Sequence, residues 1–571
     1  MGERVFPHGI PGAEVESQLA KLSSLGGDFD AMVRDQCDRN RVKRLNPDRV
    51  GTLSAGNPSY ETLMEFQCGV GVFYNPGWKP NPVPPNLRPA FVHTSRAVEL
   101  KWFELVQEGL AFVLPLEVMK NVPGFSCASV ASWAPAQDKL EGRPILDGSA
   151  RKRPENMLNG TEVATQCEEA WGKIELPTIV QVVEMVLELK DQQPSRSLED
   201  VEVWKMDLKG AFTLLSFQPE VVKHFAVQVT KGLVFIFLCG VFGWTGMPFA
   251  FAVVSRAIEF ELTSVLGLLA RVYVDDIIAV GWKENSESDR GNTKVMCCKL
   301  LGKGAISDKK TCFTTRENPR IVVLGYCIDM HLLLLTLSER NFRIVIYGFF
   351  SIEFDRKVMV RVMEQLASYA SRYDLICTTL RPFSKALHAS YQGHDRHGSV
   401  ILSNAAKWSI RLWRTILVLT RLREATFARS LESFRRWYTP WVIQFDSSLT
   451  GVGVWYQYVQ DPGDRASLRT MGAGSVGLGW KLGGQSAFQN TCEFTGALLG
   501  VIGLIRHSVL TREAMPRGVC FIGDSVSALT WLDKKKHKGD NAFAAATLLT
   551  LILARYEIQV RVTVASSPNI G

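Results

Sequence analysis

The sequence predicts an α+β chain built from several domains, and three observations predict it. With 571 residues and 46% of them hydrophobic, the composition is globular and supports a sizeable core. Strand and helix signals mix as far as about residue 335, the stretch from 336 to 440 turns helical, and strands return from 441 onward. Length alone suggests about three to five domains.

Taken in order, residues 1–90 form an N-terminal extension with no readable role. It ends in NPGWKPNPVPPNLRP (75–89), whose prolines favour extended backbone and predict a connector or an arm laid over another domain. Residues 91–205 alternate helical stretches such as RAVELKWFELVQEGLAF with the turn-rich WAPAQDKLEGRP, and VEVWKMDL (201–208) alternates as a strand. Residues 206–335 mix both periods. Within 336–440, Val358, Val362, Leu366, Tyr369 and Tyr373 fall on one helical face, as do Trp408, Leu412, Ile416 and Leu419 on another. Arg411, Arg414, Arg421 and Arg423 point away from the second stripe, as a solvated face or one turned to phosphate. Residues 441–571 read as a separate strand-and-helix domain.

The formal net charge of +8, from 65 basic and 57 acidic residues, permits a polyanionic partner without requiring one. Twelve cysteines without a C-x-x-C argue against a zinc ribbon or disulfide framework and for a reducing compartment. The N-terminus MGERVFPHGI lacks a signal pattern, and no apolar run is read as reaching the roughly 18 residues of a spanning helix. The expected setting is cytoplasmic, nuclear or both, with no membrane.

Two sets of acids carry the chemistry. In RVYVDDIIAVG (271–281), Asp275 and Asp276 sit between two apolar runs, which alone fits a hairpin tip. Upstream, WKMDLKGAFTLLSFQPE places Asp207 at a strand end, followed by a small-residue turn and Phe212; between the two lies VFGWTGMPFAFAVVSRAIEF, a Gly-rich turn leading into an apolar helix. Asp207, Asp275 and Asp276 brought together would repel one another, so a fold that clusters them expects divalent cations, and hard carboxylate oxygens suit Mg²⁺ (or Mn²⁺). The second set is Asp446 at the end of a strand in WVIQFDSSLTGVGVWYQ, Glu493 at the start of a helix in NTCEFTGALLGVIGLIRH, and Asp524 at a strand end in VCFIGDSVSALTWL, ahead of a helix that Ser525 or Ser527 could cap. Each of these acids also has an ordinary turn or helix-end explanation. His388, His394 and His397 lack a Cys partner or i, i+4 spacing, and KKKHK (534–538) reads as a solvated helix end.

In this order the blocks resemble the reverse transcriptase and ribonuclease H module of retrotransposons and retroviruses. DLKGAF (207–212), FGWTGMP (242–248) and YVDD (273–276) resemble that family's three catalytic motifs; SDKKTCF, with Lys310, and IVVLGYCID (321–329) resemble the blocks that close the palm; GRPILDGS (142–149) with Leu158-Asn159 resembles the fingers segment. The layout of 91–440 also resembles DIRS-type retroelements. The resemblance implies a right-hand polymerase, with fingers at 91–205, palm at 206–335 together with part of the fingers, and a helical thumb and connection at 336–440. A ribonuclease H-like domain at 441–571 would follow, incomplete at its C-terminus. It also implies RNA-directed DNA synthesis on an RNA or DNA template with primer, from deoxynucleoside triphosphates. Two metal ions would be held by Asp207, Asp275 and, in support, Asp276, and two more by Asp446, Glu493 and Asp524. Arg143 would clamp the triphosphate, Phe212 would exclude a 2′-hydroxyl, and Phe242, Gly243 and Lys310 would line the substrate site. Two departures stand out: Gln137, with Lys139 nearby, where the family usually has a lysine, and no fourth acid after IQVRVTV (558–564), which leaves nuclease competence open. The competing expectations are a decayed or domesticated element protein that binds nucleic acid without catalysis and, disfavoured by Phe212, an RNA-dependent RNA polymerase. No aspartic protease motif, Cys/His knuckle or integrase is recognised.

Overall fold

A computed structural model describes residues 10–41, 45–85, 94–127, 129–135, 142–149, 154–376, 380–421, 428–434, 440–448, 451–459, 468–477, 486–516, 518–533, 540–556 and 558–564. The architecture is α+β, and the chain divides into two compact units, Met1–Thr314 and Thr315–Gly571.

The first unit opens with helices α1 (Gly12–Ser24), α2 (Phe29–Arg41) and α3 (Tyr60–Phe66). They are built into the body of the unit. Val70 bridges to Phe217, and the buried Glu261 carboxylate accepts from the Ser54 amide (2.9 Å), the Ser54 hydroxyl (2.7 Å) and the Asn57 amide nitrogen (2.9 Å). The described part of the proline-rich segment is tied to three distant residues: the Asn75 amide donates to Leu158 O, the Lys79 amide to Glu155 O, and Asn81 O accepts from the Cys127 amide. Tyr74 stacks on Trp78 and hydrogen-bonds His224 Nδ1 at 2.6 Å. Burial holds that imidazole down to about 4, with Lys223 adding to the effect.

Helix α4 (Ser95–Gln107) is followed by strand β1 (Ala111–Pro115), the hairpin β2 (Val130–Pro135) and β3 (Gly142–Asp147), and helices α5 (Thr161–Trp171) and α6 (Ile179–Gln192). A capping box between Thr178 and Gln181 satisfies the first amides of α6, which fixes its start. Strand β4 (Val201–Asp207) follows, then β5 (Ala226–Gln228), β6 (Leu233–Phe237) and the apolar helix α7 (Gly246–Phe260). The hairpin β7 (Leu269–Tyr273) and β8 (Asp276–Trp282), helix α8 (Lys283–Leu301) and the short strand β9 (Cys312–Phe313) complete the unit. Strand β4 is buried along almost its whole length because it is central in an antiparallel sheet of order β7-β8-β4-β9. A second sheet has the order β1-β6-β5.

The second unit begins with β10 (Arg320–Val323), β11 (Tyr326–Asp329) and β12 (Leu334–Leu337), an antiparallel sheet. Helices α9 (Glu339–Phe350), α10 (Val360–Tyr373), α11 (Arg381–Ala389) and α12 (Asn404–Arg421) follow. The predicted stripes are partly redrawn. In α10 the buried face is Val360, Met363, Leu366, Ala367, Ala370 and Tyr373, so Val362 and Tyr369 lie at its edge and Val358 precedes the helix in a two-residue strand. Small residues let α10 approach its neighbours, and a pattern of large apolar residues misses that. Arg414 is no solvated side chain: its Nε donates to Phe349 O at 3.0 Å, its guanidinium reaches Ile352 O, and it lies over Phe354. It satisfies carbonyls at the C-terminal end of α9. Arg423 and KKKHK lie outside the described residues, whereas His388 is hydrogen-bonded to Ser371 and Tyr391.

The rest of the unit is a mixed five-stranded sheet. In chain order come β13 (Trp441–Ser447), β14 (Gly451–Val459), β15 (Leu468–Gly477), helix α13 (Ser486–Thr511), β16 (Gly518–Gly523), helices α14 (Val526–Asp533) and α15 (Asp540–Arg555), and β17 (Gln559–Val564). The sheet order is β15-β14-β13-β16-β17, antiparallel through β13 and parallel at β13–β16 and β16–β17. Helix α13 packs closely on this sheet because Gly496 and Gly500 face Phe445, Val452 and Ile443 where a Cβ would collide. Within α13, Gln489–Thr511 is long and apolar enough to cross a bilayer, a stretch the sequence reading passed over; it is half buried here, and packing against the sheet accounts for its apolarity.

Candidate active sites

The first site is built where β4 and the β7–β8 hairpin end together. Asp207, the last residue of β4, stands directly across from Asp276, the first of β8, and Asp276 is also the register partner of Tyr273. Val274 and Asp275 form the two-residue turn between them. Val274 adopts φ 55°, a left-handed conformation that a β-branched residue rarely accepts. Such strain costs on the order of 1–3 kcal/mol and persists only where surroundings enforce it. Here α7 enforces it: the Ser255 hydroxyl donates to Val274 O at 2.9 Å, and Glu259 Oε2 accepts from the Val272 amide at 2.8 Å. The hairpin is tied to the residues after β4 by the Leu208 amide, which donates to Asp275 O at 2.7 Å.

Two lysines are interleaved with these acids. Lys310 Nζ lies 3.0 Å from both carboxylate oxygens of Asp207, and Lys205 Nζ lies 3.5 Å from Asp276 Oδ1. The Asp275 side chain has neither an ion pair nor a hydrogen bond among the described residues. Burial holds the Asp276 carboxyl above the usual carboxylate range; Lys205 opposes this, and Asp275 and Asp207 add to it. The three aspartates therefore feel one another, yet their ligand atoms do not all converge within 4.8 Å.

The remaining predicted residues of this unit come together beside the turn that follows Asp207. Phe212 lies in a 3-10 turn entered through Gly210, at φ 76°, and packs against Phe242 (centroids 4.7 Å apart) and Phe251 (5.7 Å). The Arg143 guanidinium sits 5.2 Å over the Phe242 ring, so Arg143, Phe242 and Phe212 form one row. Phe212 is only 7% exposed, so its ring is chiefly a core residue. Gly243 takes φ 117°, and a Cβ there would collide with Leu146 O, so this position requires glycine. Asn159 joins the two blocks: its side-chain nitrogen donates to Gly243 O at 2.7 Å, and its oxygen accepts from the Thr245 amide at 2.8 Å. Gln137 and Lys139 lie outside the described residues.

The second site is at the strand ends of the five-stranded sheet. Asp446 is the penultimate residue of β13, Asp524 follows β16, and Glu493 projects from α13; β13 and β16 are parallel neighbours, so both aspartates emerge at the same edge. Their ligand atoms all lie within 4.8 Å of one another, the one such trio of His, Cys, Asp or Glu among the described residues. Glu493 is 4% exposed; its Oε1 accepts from the Ser447 amide (3.2 Å) and from Gln489 Nε2 (3.2 Å), and its Oε2 is buried with no hydrogen-bond partner. Burial pushes the Glu493 carboxyl up, Ser447 and Gln489 oppose this, and Asp446 and Asp524 add to it. Ser525 accepts from the Ala528 amide at the start of α14. The place after β17 where a fourth acid was sought, 565–571, lies outside the described residues.

The donor sets of both sites fit hard divalent cations: carboxylates only, with a buried orphan oxygen at the second and an unpaired carboxylate at the first. Sequence reasoning missed Lys205, Ser255, Glu259 and Gln489, all of which act on the acids from elsewhere in the fold. One signal was available: Lys205 and Asp207 are two apart in a strand and so share a face.

No protein-family model matches the sequence, and no curated protein matches it. Among solved structures the chain is similar to the foamy viral protease–reverse transcriptase in complex with double-stranded DNA, at 12% identity and a TM-score of 0.45, over 94% of this chain and 97% of that one. A second foamy viral structure, the dRH form with double-stranded DNA, gives 12% identity and a TM-score of 0.44, over 94% and 82% of the two chains. The foamy viral enzyme with an RNA/DNA hybrid gives 12% and 0.41, over 93% and 63%.

Proposed function

We propose that this chain is an RNA-directed DNA polymerase of a retroelement, with fingers, palm and thumb in the order read from the sequence and a ribonuclease H-like domain after them. The observation that carries the reading is the pairing of Asp207 with Asp276 across β4 and β8, with Asp275 in the strained turn between strands. That register sets three carboxylates at one end of the sheet, supplied by two motifs, DLKGAF and YVDD, that the sequence presents separately.

In this reading Asp207 and Asp275 hold the catalytic Mg²⁺ ions, which when bound supply Lewis-acid activation of the primer 3′-hydroxyl and charge stabilisation at the α-phosphate. The chain's own groups do the positioning. Ser255 and Glu259 fix the hairpin so that Asp275 stays at that end of the sheet, and the Phe242 ring supports Arg143, whose planar fork suits triphosphate oxygens. Phe212 limits the space beside the sugar, and Lys310 stands ready to release Asp207 and meet phosphate. The ligands of this reading are a primer on an RNA or DNA template and deoxynucleoside triphosphates. Asp446, Glu493 and Asp524 hold Mg²⁺ for cleavage of the RNA strand of a hybrid. The protein works in the cytoplasm, the nucleus or both.

Primer extension by the purified chain on an RNA template, with the four deoxynucleotides and Mg²⁺, tests this. Extension products are expected. A protein that retains primer-template binding but makes no product on RNA or DNA templates would instead be the non-catalytic binder, a reading favoured by the two lysines that occupy two of the three carboxylates.

A further inference from the structure

Resting on that reading of the first site, we propose that Lys205 is a positioning residue, a resident counter-ion that keeps Asp276 out of the metal-binding set and leaves Asp207 and Asp275 as the ligands. Three observations separate the lysines and the acids. Lys205 projects from the central strand β4, two residues before Asp207 and on the same face, and its side chain is 23% exposed, close to the 25% of its partner Asp276. Lys310 instead sits on a surface turn with a side chain 61% exposed. A long exposed side chain leaves its partner at little cost, whereas one held on a strand inside a sheet does not. Asp275 has no cation beside it at all among the described residues. The three carboxylates thus form a graded set: Asp275 open, Asp207 held by a displaceable lysine, Asp276 held by a fixed one.

Electrostatics gives the fixed pair a purpose. Three adjacent carboxylates would bind a cation tightly and in several ways; one permanent ammonium among them removes a unit of negative charge and favours a single arrangement. The second site, with no such cation among its described neighbours, has its acids drawn within 4.8 Å.

Mn²⁺ binding, followed by electron paramagnetic resonance without nucleotide or primer, reads this directly. All proteins are full chains carrying Asp446→Asn, Glu493→Gln and Asp524→Asn, so that the second acidic cluster does not contribute. Lys205→Met is expected to tighten Mn²⁺ binding by about tenfold, since an unscreened Asp276 joins the ligands. Lys205→Met with Asp276→Asn is expected to return to the parent affinity, and Lys205→Arg to stay within about twofold of it. An unchanged affinity in Lys205→Met, or a gain that survives in the double variant, overturns the proposal. If Lys205→Met does not fold, Asp276→Asn alone decides: full Mn²⁺ stoichiometry supports the proposal, and loss of a bound ion shows Asp276 to be a ligand and overturns it. Asp275→Asn separates the two levels. If it leaves Mn²⁺ binding intact, the reading of the whole site fails; if it weakens binding while the Lys205 series does not respond, only the present inference fails.

Discussion

At the β4 and β8 strand ends, three aspartates share their space with two lysines; at the β13 and β16 strand ends, two aspartates and a glutamate converge with no ion-paired lysine or arginine among the described residues. Both arrangements place acids on neighbouring strand ends, where backbone pairing fixes the spacing with little freedom. They differ in how repulsion is met. The first site spreads its carboxylates and screens them from within the fold. The second instead buries Glu493 and ties one of its oxygens to Ser447 and Gln489, while the other is left without a partner. Repulsion between neighbouring carboxylates is thus met in two ways within one chain, by lysines from the fold at the first site and by burial with partial hydrogen bonding at the second.

The largest effect expected is at the open carboxylate. Asp275→Asn should lower primer extension by about a thousandfold or more while primer-template affinity, which depends on phosphate contacts, stays within about twofold. Near-normal extension would break the comparison by removing the first site from catalysis. A smaller effect concerns the neighbouring row of rings: Phe212→Val should raise ribonucleotide over deoxynucleotide incorporation, read as a shift of about tenfold in the ratio of kcat/KM values. Because Phe212 is almost buried between Phe242 and Phe251, an unmoved ratio with a lowered melting temperature would leave it as a core residue alone.

The second site makes its own prediction through pH. A carboxyl held above its unfolded value adds stability below the unfolded value and loses it as pH rises through the folded one, so ionised Glu493 is the costly form. Glu493→Gln should raise the melting temperature of the second unit by roughly 2–4 °C at pH 8, as expected for about 1 kcal/mol, and should change it little at pH 4. Mg²⁺ should stabilise the second unit of the parent more than that of this variant, as expected for an ion that binds the folded cluster and not the unfolded chain. A further effect, on stability alone, comes from a buried acid outside either site. Glu99 on α4 is 2% exposed, neither carboxylate oxygen has a hydrogen-bond partner, and burial pushes it up to about 7. Glu99→Gln should stabilise the first unit above pH 7 and not at pH 4, with the same response to Mg²⁺ as the parent, in thermal melts at both values. A Mg²⁺ response of the parent that is diminished in Glu99→Gln would show that burial alone, without convergence, recruits a cation.

Much of this was legible in the sequence because each motif is local. Asp207 and Asp276 lie at strand ends with Asp275 in the turn between strands, and Asp446 and Asp524 lie at or just after the ends of apolar strands, so period and turn chemistry place them. What joins the motifs was not legible. Glu261 reaches back to Ser54 and Asn57 over some two hundred residues, and in a segment unreadable as a sequence Val70 bridges to Phe217 while Asn75, Lys79 and Asn81 bond to Leu158, Glu155 and Cys127. No periodicity records such pairings. Arg414 misled for a similar reason: its place on a helical wheel looks solvated, while the free carbonyls that bind it belong to the end of another helix.

The most direct test is a separation of the two sites on one substrate. RNA-templated primer extension and cleavage of the RNA in the resulting hybrid are followed together for the parent chain, Asp275→Asn and Glu493→Gln. The account predicts that Asp275→Asn loses DNA synthesis and keeps the parent's cleavage of a preformed hybrid, whatever its level, and that Glu493→Gln keeps synthesis at the parent rate. Synthesis that survives Asp275→Asn, or that is lost in a folded Glu493→Gln protein, would contradict it.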